Sequence, residues 1–273
     1  MTLKTYGGHR QYTLSSDIDQ YLEEISINGY SIVTNVIPEE ELPEWRLRID
    51  NVYAQQETEF GRDALNDINE LDMCRAPLLY NDAFVHMAAN PFVLKVVQSI
   101  LGDWFILNLQ NAIINRPKIE HHQTSWHRDL PYQNFVISRP LAINALYAID
   151  PFSVKTGGTT LLPFSHRRED LPSTEYLQKH QVVADAPPGS VILFDAMLFH
   201  RAGSNSSQDA RRAVNHLYTA PILKQQYDLP KALNGKFADD AALARLLGYT
   251  SEVPLNDKAW RQARAKKRAT MKS

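Results

Sequence analysis

The chain has 273 residues, 44% apolar and 22% charged, which suits a globular protein with a sizeable core and excludes a disordered or low-complexity chain. A formal net charge of −2 gives no bulk field to draw it to nucleic acid or an anionic membrane, and one cysteine, Cys74, rules out an internal disulfide framework. No apolar run reaches the roughly 18 residues of a membrane span, and the opening MTLKTYGGHRQYTL has no signal-peptide pattern, so a cytoplasmic location is expected.

Residues 15 to 60 read as helix, short strand, helix. Ser16 is placed to cap IDQYLEEISI, Asn28-Gly29 to stop it, and the β-branched YSIVTNVI follows as a strand. Pro38 and three glutamates then open a second helix. Residues 81 to 102 read as a helix pair ending at Gly102. From Trp104 the texture changes to short strand candidates between turn residues: FILNLQNAIINR, PLAINALYAI, GTTLLPF, GSVILFDAMLF and RRAVNHLYTA. Helices first and strands afterwards predict an α+β or helix-decorated β architecture. We divide one domain, 1–273, into a helical part of about 1–103, a β core of about 104–221 and a C-terminal segment of about 222–273. That segment ends in the basic DKAWRQARAKKRATMKS, expected to be a solvated helix face or tail.

The chemistry gathers at His127-Arg128-Asp129 and at His200, 73 residues further on. In an extended segment alternate side chains share a face, so His127 and Asp129 can address one ion while Arg128 points away. The apolar run VILFDAMLF leads into His200 and predicts a core strand that brings it to the same cavity. Two imidazoles and one carboxylate suit iron(II) with open coordination positions, and zinc hydrolases use the same ligand types. Eleven residues after His200, Arg211 opens a strand with Arg211, Ala213 and Asn215 on one face and His216 on the other. A guanidinium there would pair a carboxylate bidentately, which a dicarboxylate co-substrate needs.

These residues carry a resemblance to the phytanoyl-CoA dioxygenase family, which also includes ectoine hydroxylase. It covers residues 20 to 220. NGYSIVTNVIPEEEL resembles the family's N-terminal segment, WHRD supplies its H-x-D, and GGTTLLPFSHR (157–167) resembles its glycine-glycine-threonine loop. PPGSVILFDAMLFHRAGSNSS is similar to the strand and turn that carry the distal histidine and then an asparagine, here Asn205. The resemblance implies a double-stranded β-helix (jelly-roll, cupin-like) core with N-terminal helices packed on it. It implies Fe(II) held by His127, Asp129 and His200, with 2-oxoglutarate and O2 as co-substrates. Arg211 takes the distal carboxylate, and Gln110, 17 residues before His127, also touches the co-substrate. The implied reaction oxidises a small organic substrate and releases succinate and CO2. Ala202 and Leu146 depart from the family pattern, which has Ser at the first position and a polar or aromatic residue at the second. Halogenases on this fold lack the carboxylate that Asp129 provides, so hydroxylation or desaturation is expected.

Two other readings compete. A metal-binding β-barrel of another kind, hydrolase or binding module, would not need Arg211 or Gln110. HRDLPYQN (127–134) matches the kinase catalytic loop, but the chain has neither G-x-G-x-x-G nor D-F-G, which excludes a kinase. His121 and His122 are expected in a loop or lid, and His166 at the site entrance or in a structural turn. Arg128, Arg139 and Arg201 are candidates for contacting an anionic substrate.

Overall fold

The computed structural model describes residues 6–9, 11–118 and 122–270. The first helix, α1 (Asp19–Asn28), starts later than expected, because Ser16 does not cap it. Instead the Asp19 carboxylate accepts the N–H groups and hydroxyls of both Ser15 and Ser16 at 2.6–2.9 Å. Gly29 ends the helix with φ 89°, a left-handed conformation that glycine adopts without penalty. Strand β1 (Tyr30–Val33) follows, and the three glutamates form one 3-10 turn that runs into α2 (Leu42–Phe60). In α2 the buried Leu42, Trp45, Ile49, Val52 and Tyr53 recur at helical spacing and form its core-facing stripe. After α3 (Arg62–Asp67) and β2 (Met73–Arg75) come α4 (Ala83–Ala88) and α5 (Pro91–Leu101). Asn90 caps α5 by accepting from the N–H groups of Phe92 and Val93, with Pro91 in its first turn.

The strand-rich part comprises β3 (Ile106–Asn115), β4 (Ala142–Ala148), β5 (Thr160–Leu161), β6 (Val182–Val183), β7 (Val191–Asp195), β8 (His200–Arg201) and β9 (Arg211–Thr219), with α6 (Thr174–His180) between β5 and β6. Helices α7 (Leu229–Ala232), α8 (Ala241–Leu246) and α9 (Asp257–Thr270) close the described chain. The larger sheet has the order β1-β7-β4-β9-β3-β2 and the smaller β6-β5-β8, with antiparallel pairing throughout. Two facing antiparallel sheets with helices on one side make an α+β protein with a jelly-roll core. The N-terminal third is not purely helical, because β1 and β2 form the two edges of the larger sheet.

Alternation along each strand divides the interior in two. Leu107, Ala112 and Ile114 of β3, Ala145 and Tyr147 of β4, Leu193 of β7 and Tyr218 of β9 pack against the helices. Ile113, Leu146, Ala148, Ile192, Phe194 and Ala213 face the smaller sheet and meet Phe152, Leu161, Ala184 and Leu198. The larger sheet is thus covered on both faces, which is why all seven residues of β4 are buried and read as a nearly continuous apolar run. Ion pairs fix the helix layer in register: Arg46 of α2 bonds Asp150 at 2.6 Å, and Arg212 of β9 bonds both Asp50 of α2 and Asp150.

Gly157 holds the turn that leads into β5. Its φ is 71°, and a Cβ there would lie 2.5 Å from the Gly203 carbonyl oxygen, so the close approach of these two loops requires glycine. Among the described residues no helix is long and apolar enough to cross a membrane.

Candidate active site

The run expected to deliver His200 on one strand is in fact split. Strand β7 ends at Asp195 in the larger sheet, where the Asp195 side chain accepts the Met197 N–H at 2.8 Å and turns the chain. His200 lies beyond that turn, on β8 of the smaller sheet. Its backbone pairs with His127 in both directions, N–H to O at 2.9 and 3.1 Å, while the Asp129 N–H reaches the Ala196 carbonyl at 3.2 Å. Segment 127–129 therefore runs antiparallel to 196–200. This pairing places His127, Asp129 and His200 side by side, with one potential ligand atom from each within 4.8 Å of the others.

The imidazoles are oriented by the same device. His127 Nδ1 faces the Ser125 carbonyl at 2.8 Å, and His200 Nδ1 faces the Leu198 carbonyl at 2.9 Å. Against a carbonyl Nδ1 must carry the proton, which leaves the Nε2 lone pair of each ring for a ligand. Those Nε2 atoms lie 3.9 and 3.7 Å from Asp129 Oδ1. Two donors each about 2.1 Å from one ion can be up to about 4.2 Å apart, so both pairs are within bridging reach. Burial depresses the His200 pKa against the opposing pull of Asp129 and keeps the ring in its neutral, metal-binding form. Asn215 of β9 donates from Nδ2 to Asn144 Oδ1 at 3.1 Å and approaches Asp129 Oδ2 at 3.5 Å.

Arg211 and Arg212 separate as strand alternation predicts. Arg212 faces the helices and its ion pairs. Arg211 lines the cavity, is 3% exposed, and stacks its guanidinium 4.2 Å from the centroid of the Phe152 ring. Burial pushes its pKa down to about 10, which leaves it a cation at neutral pH. No described residue accepts a hydrogen bond from this guanidinium, and its Nε is buried without a partner. A buried, unpaired arginine is costly unless an anion completes it. Leu109, Asn111, Ile113, Leu146, Thr159 and Phe194 complete much of the wall. The departures Leu146 and Ala202 both line it, so neither offers a polar contact there.

Gln110 is elsewhere. On β3 it is Leu109, Asn111 and Ile113 that face the cavity, and Gln110 points into the helix layer, 1% exposed. It accepts the Leu78 N–H at 3.0 Å, donates to the Phe84 carbonyl at 2.7 Å, and meets His216 Nε2 at 2.7 Å. The expectation that it touches the co-substrate is therefore corrected: Gln110 joins the sheet to the turn and helix at 77–88. His216, buried beside it, is pushed down to about 3 and is a neutral core histidine.

The other candidates lie outside the cavity, except Arg201, whose Nε is buried without a hydrogen-bond partner. His166 is buried in the 3-10 turn Ser165–Arg167, packed on Gly29. Arg139 is exposed. Arg201, next to the inward-facing His200, lies over the Trp126 ring and bonds Gln181. Arg128 points away from the ligands and donates to backbone carbonyls. His121 lies outside the described residues, and His122 begins a 3-10 turn. A residue not anticipated is Arg75, on the cavity wall, where Glu70 takes its Nε and Nη2. With the Asn111 amide oriented to satisfy both ends, its oxygen accepts from Arg75 Nη1 at 3.0 Å.

Two imidazoles that turn Nε2 towards one carboxylate, with a buried arginine that bonds no described residue, fit iron(II) and a dicarboxylate in one cavity. This donor set inside a jelly roll defines the class of iron(II)- and 2-oxoglutarate-dependent dioxygenases. The phytanoyl-CoA dioxygenase (PhyH) family profile matches residues 26–213, and the chain belongs to that family. It works with Fe(II), 2-oxoglutarate and O2. An uncharacterised protein of Mycobacterium tuberculosis is 33% identical over 252 residues, 89% of this chain and 90% of the relative. Among solved structures, the EctD protein of S. alaskensis with 2-oxoglutarate and 5-hydroxyectoine matches at TM-score 0.63 and 19% identity, covering 78% of this chain and 80% of that one. The epimerase SnoN, solved with Fe3+, alpha ketoglutarate and nogalamycin RO, matches at 0.60 and 18%, covering 75% and 84%.

Proposed function

We propose that this protein hydroxylates, or desaturates, a small organic substrate at a site where His127, Asp129 and His200 hold the iron and Arg211 binds the distal carboxylate of 2-oxoglutarate. The observation that carries the reading is Arg211, a buried cation that makes no hydrogen bond to any described residue, in the cavity lined by His127, Asp129 and His200. Iron(II) with 2-oxoglutarate and O2 supplies the oxidising chemistry, and the co-substrate leaves as succinate and CO2.

The chain's own residues supply position and protection. His127 and His200 present Nε2 because their Nδ1 protons are held by backbone carbonyls. Asp129 adds the single negative charge among the three ligands. Arg211 and the Phe152 face orient the dicarboxylate from its far end. Leu109, Ile113, Leu146 and Phe194 form the apolar part of the wall around the reacting centre. With iron bound, Asp129 would be a protein ligand that leaves no place for chloride, so the substrate carbon should receive oxygen or lose a second hydrogen. The test is a substrate panel scored by succinate release and by product mass under ¹⁸O₂ in excess chloride. We expect oxygen-18 or desaturation in the product. A chlorine isotope pattern, or an inverted stereocentre without oxygen gain, would overturn the assignment.

A further inference from the structure

Arg128 is the residue between two of the three ligands, and its side chain makes four hydrogen bonds. Its Nε donates to the Met197 carbonyl at 2.8 Å and Nη1 to the Glu169 carbonyl at 2.8 Å. Nη2 donates to the carbonyls of Ser165, at 3.2 Å, and Arg168. The guanidinium carbon also sits 3.7 Å from the centroid of the Phe199 ring. Arg128 is 9% exposed, and among the described residues no carboxylate pairs with it.

We infer that Arg128 is a positioning residue that clamps the three ligand-bearing backbones into the geometry the iron requires; the inference rests on the iron reading above. Its four acceptors lie on two segments. Met197 belongs to the turn that leads to His200, and its carbonyl is one residue before the Leu198 carbonyl that orients the His200 ring. Ser165, Arg168 and Glu169 belong to the loop behind that turn, and the Ser165 hydroxyl in turn accepts the Phe199 N–H at 2.9 Å. Phe199, stacked on the guanidinium, directly precedes His200. Arg128 itself is flanked by His127 and Asp129. One planar side chain therefore ties the H-x-D segment to the segment carrying the distal histidine from behind, while the ligands face forward.

The chemistry favours arginine specifically. Asp195 and Asp170 act on this cation only at a distance and neither bonds it, so a fork of N–H groups meeting four carbonyls and an aromatic face is what offsets the cost of its burial. Lysine has a point charge and cannot span carbonyls on both segments. These contacts use Nε and both terminal nitrogens, so the group has little left for a substrate.

The test uses the full chain with Arg128→Met and Arg128→Lys, kept anaerobic and at a temperature where both are folded. Iron(II) affinity is read by competition with a chromogenic chelator. The visible band of the iron–2-oxoglutarate complex is recorded in parallel. Outer contacts of this kind typically carry about ten- to a hundredfold in metal affinity. We expect R128M to lose affinity in that range with a displaced band maximum, and R128K to recover part of it. The 2-oxoglutarate concentration giving half the band at saturating iron should stay nearly constant, because Arg211 is untouched. A variant that melts earlier yet binds iron as the wild type does overturns the inference and leaves Arg128 as scaffold. Where R128M does not fold, R128K decides alone by the same criterion. Wild type that binds no iron would instead sink the site assignment itself.

Discussion

His127 and His200 are each held through Nδ1 by the carbonyl two residues earlier, so the same local device sets both rings although they come from distant parts of the chain. Replacing either ring removes a ligand without opening the core. We expect His200→Ala to abolish iron(II) binding and turnover with little change in melting temperature. Full activity in that protein would remove the metal assignment. The neighbouring arginines make a second, internally controlled test. Arg211→Lys keeps the charge and loses the fork, so half-saturation by 2-oxoglutarate should rise about ten- to a hundredfold, equivalent to about 1.5–3 kcal/mol. Arg212→Lys weakens bonds to Asp50 and Asp150, and should lower the melting temperature while leaving 2-oxoglutarate dependence alone. That His127, Asp129, His200 and Arg211 gather in one cavity was largely legible in the sequence, because H-x-D and strand alternation are local rules. Gln110 was misplaced because a family match was followed instead of the strand face. The register shift between Leu107 and Leu109 also prevents counting faces inward from the strand's start. Asn215 was placed correctly on the Arg211 face, and its approach to Asp129 needed the tertiary fold to be seen.

Among the elements, the turn after β7 has its own titration behaviour. Asp195 is 7% exposed, and burial pushes its carboxyl up to about 6, partly offset by the Met197 N–H and by Arg128. Its pKa is higher folded than unfolded, so the folded state gains by holding the proton. That contribution is present below about 4 and is lost as pH rises through about 6. Asp195→Asn keeps the acceptor for the Met197 N–H and removes the buried charge. The variant should match wild type in stability near pH 4 and exceed it above pH 6, by up to about 3 kcal/mol. Urea unfolding at the two pH values measures this, and a constant gap across the range would contradict it. The same turn shows why element boundaries were hard to read. VILFDAMLF is apolar but for Asp195 because both the strand and the turn are buried, and composition cannot separate them. Strands β5, β6 and β8 have two residues each, too short to show any period, and β2 has three. The long strands β3, β4 and β9 were visible because covered sheets select β-branched and aliphatic runs.

For the molecule as a whole, an ion held by His127, Asp129 and His200 would join the 127–129 segment to β8, so bound iron and 2-oxoglutarate should stabilise the folded state by mass action. At a hundred times the dissociation constant the gain is about 2.7 kcal/mol, a rise of roughly 5–10 °C in melting temperature for a chain of this size. Scanning calorimetry under anaerobic conditions should show that shift in wild type and none in the His200→Ala protein. The class of architecture was readable from helices preceding strands. The role of β1 and β2 as sheet edges was not, because edge pairing depends on partners far along the chain.

The position of β9 has one more consequence. It is the last strand in sequence, yet it lies in the middle of the larger sheet, between β4 and β3. Gln110 and His216, which meet across β3 and β9, are 106 residues apart. During synthesis β3 and β4 must therefore wait with unpaired edges until residues 211–219 have left the ribosome. Bare edges of this kind invite pairing with other nascent chains. Chains truncated before Arg211 should accumulate as aggregates, whereas chains extending just beyond Thr219 can close the sheet.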